Sequence, residues 1–155
     1  MPYTKVAALA AACAFALFAS TPAAAVDLAT AKPFQVQVNC AAITPHGCNG
    51  SWATPAGKIA VIEQVSVYCS FPGTSTRVLQ WTMNTTVSGV ASSSNISVAG
   101  PVFDGSSTTY QTTSQLVRLY SDPQKSVFVF GSFTGNTSQV SCVFTLSGEL
   151  ANIVP

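Results

Sequence analysis

Residues 33–40 read PFQVQVNC: Phe34, Val36, Val38 and Cys40 fall on one side of an extended chain, and Gln35, Gln37 and Asn39 on the other. A repeat of two is the signature of a strand with one side buried and one side wet. The same alternation recurs downstream. Residues 59–70 are expected to form a long strand, with Val61, Val65, Val67, Cys69 and Phe71 in phase and Ile62, Gln64, Ser66 and Tyr68 opposite. TRVLQWTMNTTV (76–87) sets Leu79, Trp81, Met83 and Val87 against Gln80, Thr82 and Asn84, which makes Trp81 a core residue. Near the C-terminus Val140, Cys142, Phe144, Leu146 and Leu150 share a face opposite Ser141, Thr145 and Ser147.

Between these strands the patterns are weaker. Short strands are expected at 95–98 and 109–113, and QLVRLY (115–120) is another strand. SVFVFGSF (126–133) is apolar on both sides, as a central strand covered on both faces would be. Residues 41–58, rich in Gly, Pro, Asn and Ser, read as a loop holding His46, Cys48 and Trp52; FPGTS, PVFDGSS, SDPQ and GNTS read as turns. No stretch of residues 26–155 holds a helical period. The fold class is therefore all-β: a two-sheet antiparallel sandwich of 7–8 strands, with immunoglobulin-like and jelly-roll topologies both open.

The N-terminus follows another plan. Lys5 gives a short positive start, residues 6–20 are almost wholly apolar, and Ala23, Ala24 and Ala25 offer a cleavage site before Val26. The run is shorter than the roughly 20 residues needed to span a bilayer. Lipidation at Cys13 is disfavoured because the apolar stretch continues past it through Phe15, Leu17 and Phe18. Residues 1–25 are thus expected to be a signal peptide and 26–155 a single domain, secreted or periplasmic, without a transmembrane segment.

Removing Lys5 from six Lys plus Arg leaves five bases against five acids. Charged residues are 7% of the chain, against about 25% in typical soluble domains. A neutral surface of hydroxyls and amides has no basic stripe for phosphates, which argues against nucleic-acid binding. Cys40, Cys48, Cys69 and Cys142 form an even set in an exported chain. Cys69 and Cys142, on apolar faces of strands distant in sequence, are expected to pair, leaving Cys40 with Cys48. Cys40 also lies in phase with an apolar face, so a crossed pairing stays open.

Few residues carry chemistry. His46 lies between Cys40 and Cys48, but the spacing fits no zinc motif and oxidised cysteines do not ligate; no metal and no cofactor is expected. A Ser-His-Asp site would need His46 too, with no Gly-x-Ser-x-Gly elbow present. Paired carboxylates would have to come from Asp27, Glu63, Asp104, Asp122 and Glu149. Glu63 falls in phase with buried valines, where a lone charge is costly, so a structural ion pair with Arg118 is expected. Trp52, unexplained by strand period, either plugs an open end of the sandwich or binds ligand; Tyr110 and Tyr120 are weaker binding candidates. Asn49, Asn84, Asn95 and Asn136 open Asn-x-Ser/Thr sequons.

PAGKIAVIEQVSVYCSFPG (55–73), followed by VRLYSDP (117–123) and FTLSGEL (144–150), resembles a pattern in small exported bacterial β-sandwich proteins. That resemblance implies export and fold and brings no activity with it. Three functional classes follow from the residues. The preferred one is a non-enzymatic binding module whose partner is an extracellular ligand, a glycan or a surface protein. The second is a structural subunit of a surface appendage, and the third a small secreted hydrolase.

Overall fold

The computed structural model of the chain describes residues 25–73, 76–103, 105, 108–135 and 140–154. Residues 1–24 of the expected signal peptide, with Cys13, lie outside them, as do Asp104 and Asn136. Among the described residues nine strands run antiparallel: β1 (Ala25–Thr44), β2 (Gly47–Ala53), β3 (Lys58–Pro72), β4 (Val78–Val87), β5 (Val90–Ile96), β6 (Val102–Phe103), β7 (Thr108–Ser121), β8 (Ser126–Phe133) and β9 (Ser141–Val154). No helix is present among the described residues, so none is long and apolar enough to cross a membrane.

The expected two-sheet sandwich is corrected to one curled sheet, in the order β5-β4-β8-β2-β1-β9-β3-β7-β6. The cause is the length of β1. It pairs with β9 as far as Cys40 and then, from Ala41 to Thr44, with β2, so a single strand joins the halves by hydrogen bonds. The sheet folds back over its own apolar side. Trp81 of β4 packs edge-on against Phe144 of β9 at 5.0 Å and against Phe133 of β8 at 5.6 Å, while Phe71 of β3 meets Phe133 at 5.9 Å. Edge-to-face contacts of this kind bring β4 and β8 onto β3 and β9 around one interior.

Side chains complete the curl where strands do not pair. Gln111 on β7 is buried; its Oε1 accepts from the Val78 amide at 2.8 Å and its Nε2 donates to the Ala99 carbonyl at 2.8 Å. Gln115 Oε1 accepts from the Ser97 amide at 2.8 Å. These bonds explain why the inner side of β7 reads Thr109, Gln111, Thr113 and Gln115 rather than apolar. They also explain why the strands expected at 109–113 and 115–120 are one strand: its first half hides its period behind polar residues that face inward.

Two bulges shift the expected phase. Between Ile62 and Gln64 the register of β3 slips against both neighbours. Ile62 and Val65 point into the core while Glu63 and Gln64 are both exposed, and Val61 moves to the opposite side from Ile62. The close packing there requires a glycine at 148, since a β-carbon would run into the Val61 carbonyl. The second slip, between Val78 and Gln80, exposes Leu79 instead of burying it with Trp81. One inserted residue is enough to flip a strand's faces.

Two other expectations change. The stretch read as a loop from 41 to 58 holds the end of β1, a turn at Pro45 and His46, and β2. Gly47, Gly50 and Asn49 conceal its strand period; a β-carbon at Gly50 would strike the Asn39 carbonyl across the hairpin. In β8, Val127, Val129 and Phe133 are buried, but Phe128 on the other side is 42% exposed, so that strand is covered on one face only.

Cys40 is bonded to Cys48 and Cys69 to Cys142. In the chain-entropy account, closing the 73-residue separation is worth about 4 kcal/mol, and the eight-residue one about 2.5 kcal/mol. Both bonds are compatible with an oxidising, extracellular or periplasmic location.

Candidate functional site

The alternation that sends valines inward sends amides and hydroxyls outward, and strand register collects them. Across β1, β9, β3 and β7 the residues Gln37, Thr145, Ser66 and Ser114 stand in one row. The next row is Asn39, Val143, Tyr68 and Thr112. Beyond it Ser141, Ser70 and Tyr110 stand in register, with Val102 of β6 opposite Tyr110. A groove of about 600 Å³ lies over the first two of these rows. Gln37, Ser66, Tyr68, Thr112, Ser114 and Thr145 line it, with Val143 and the backbone at 67 and 113, and none of its residues is charged.

Part of its floor is already ordered. Gln64 Nε2 donates to Ser114 Oγ at 2.9 Å, and the Ser66 and Ser114 hydroxyls lie 3.0 Å apart. Tyr68 is 47% exposed, and its ring lies 5.8 Å from that of Tyr110 at a tilt of 31°. Hydroxyls and amides that can both donate and accept, beside an open aromatic face, form a surface suited to ligands that are themselves neutral and hydroxylated.

The sequence candidates are placed as follows. Tyr110 packs beside Tyr68 but is not itself one of the residues that line the groove. Trp52 is elsewhere: it lies in β2, half-buried, stacked on Phe34 at 5.0 Å and 13°, and packed against the core. The structure thus does not bring Trp52 and Tyr110 together. The Glu63 to Arg118 ion pair is corrected. The bulge turns Glu63 outward, with no ion-pair partner among the described residues, and Arg118 Nε donates to Tyr120 Oη at 2.9 Å, two residues along the same side of β7. His46 is exposed in its turn, 3.1 Å from the Gly135 carbonyl through Nδ1. Among the described residues no three of His, Cys, Asp and Glu converge as metal ligands would.

Tyr68 and the row of Gln37, Ser66, Ser114 and Thr145 were not singled out by sequence reading. Alternation already placed Gln37, Ser66, Tyr68 and Thr145 on wet faces. What it lacks is register, which decides that they are neighbours.

The other half of the sheet carries a different outer face. Phe128 and Phe130 of β8 stack at 6.2 Å, with Ser51 and Asn84 flanking Phe128 and Asn49 and Thr82 flanking Phe130. Asn95 is in register with Thr82 and accepts from Gln80 Nε2 at 2.8 Å. The buried Oδ1 of Asn84 has no hydrogen-bond partner among the described residues.

No family model, curated protein or solved structure matches the chain.

Proposed function

We propose that this protein is an exported, non-enzymatic binding module that holds a neutral, hydroxyl-rich ligand of the glycan class in the groove over β1, β9, β3 and β7. The observation that carries this reading is the in-register row of Gln37, Thr145, Ser66 and Ser114 beside the open ring of Tyr68. Each sugar hydroxyl presents a donor and an acceptor, and amides and hydroxyls answer both without the desolvation cost of a charge. The apolar face of a sugar ring stacks on an exposed aromatic, and Tyr68 offers such a face while Tyr110 supports it from the side. A groove of about 600 Å³ lies within the range of ligand sites, roughly 300–1,000 Å³.

The hydrolase reading is disfavoured by the scarcity of His and acids, and a buried Glu63 opening on a cleft beside a second carboxylate would have revived it. Glu63 is exposed, and the groove is lined by no acid.

Titration calorimetry against a panel of neutral oligosaccharides tests the proposal. Binding by at least one member is expected, with Tyr68→Ala weakening it at least tenfold and Tyr68→Phe retaining it. Absence of binding across the panel, or equal affinity of Tyr68→Ala, overturns the reading.

A further inference from the structure

The two edges of the sheet are treated differently. At one, β6 is only two residues long and follows Pro101, and the rest of β7 carries a register slip and Arg118 while its Gln111 and Gln115 hold the 97–99 segment. Short strands, proline, charge and bulges are the usual devices that stop an edge from pairing with another chain. β5 at the other edge has none of them: its seven residues, VASSSNI, contain no charge and no proline, and its ladder with β4 runs without a slip.

The geometry of the free side follows from the turn. Ser88 and Gly89 have φ of 51° and 76°, the two positive values of a tight two-residue hairpin, so Val87 and Val90 close it as a hydrogen-bonded pair. Hydrogen-bonded and non-bonded pairs then alternate. Ala91, Ser93 and Asn95 consequently turn their N–H and C=O groups away from β4. No backbone partner meets these groups among the described residues.

We propose that β5 pairs with β5 of a second copy of this chain, antiparallel about a twofold axis at Ser93. The sequence is close to symmetric about that residue. The axis sets Ser93 against Ser93, Ser92 against Ser94, Ala91 against Asn95 and Val90 against Ile96. The outward-turned set maps onto itself, so all three of its residues fall in hydrogen-bonded pairs. The small side chains let the backbones approach. A closed twofold contact of this type uses the same patch on both partners and stops at two.

The test is sedimentation velocity over a hundredfold concentration range on the protein recovered from cells expressing the full chain. A concentration-dependent monomer–dimer equilibrium is expected. Ser93→Pro removes an outward N–H that has no backbone partner among the described residues, and Ser93→Lys keeps the N–H but puts like charges at the axis. Either variant, if its circular dichroism matches wild type, is expected to weaken the dimer at least tenfold. A monomer at every concentration, or a dimer that both folded variants leave unchanged, overturns the proposal.

Discussion

Over β1, β9, β3 and β7 the outer side chains near the groove are Gln37, Thr145, Ser66 and Ser114 with Tyr68 beside them. Over β2, β8, β4 and β5 the corresponding centre is Phe128 and Phe130, set among Asn49, Thr82 and Asn84. Both faces rest on the same interior, in which Trp81, Phe133, Phe144 and Leu146 are buried. The inner residues hold the fold, and the outer ones differ at little cost to it. One face therefore offers hydrogen bonds around a single open ring, and the other offers an aromatic pair with a thinner polar surround. The proposed recognition of a hydroxylated ligand belongs to the first.

Breaking the shared interior gives the largest effect. Trp81 touches residues of β8 and β9 at once, so Trp81→Ala is expected to cost about 4 kcal/mol in denaturant unfolding and to degrade both faces together. A cost under about 1 kcal/mol would mean that the halves do not share this core. Gly131→Ala comes next. Gly131 lies opposite Trp81, and a β-carbon there enters the indole ring; overpacking of this kind costs about 2 kcal/mol, read as a lowered unfolding midpoint. Phe128→Ala then sharpens the contrast between faces. It is expected to leave oligosaccharide affinity at the groove within about twofold, measured by calorimetry, because Phe128 lies on the opposite half; a tenfold loss would move the site to the phenylalanine face. The smallest effect belongs to Glu63→Gln. An exposed side chain with no ion-pair partner among the described residues is expected to change unfolding free energy by less than about 0.5 kcal/mol.

The alternation in PFQVQVNC and in the strands around Cys69 and Cys142 carries the all-β class, because period two survives wherever one face is buried and the other wet. Glu63 and Leu79 mark where it fails. A bulge adds one residue, and nothing in VIEQV or RVLQW announces it; for the first, the trace is Gly148, distant in sequence and required by the crowded backbone at the bulge. β7 is hidden for another reason, since Gln111 and Gln115 bond across the curl and make an inward face look like an outward one. The groove was half legible: its residues read as wet, but their assembly depends on the pairing of β1 with β9 and of β3 with both β9 and β7, which alternation does not encode. Trp52 was the reverse case, conspicuous in a glycine-rich stretch yet engaged by Phe34.

The most direct measurement is a map of backbone amide chemical shifts on titrating the protein with the tightest-binding neutral oligosaccharide. The account predicts that the largest shifts fall at Gln37, Ser66, Tyr68, Thr112, Ser114 and Thr145 and saturate together at one affinity, with the amides of Phe128 and Phe130 unmoved. Shifts centred on Phe128 and Phe130, with the groove silent, would contradict it.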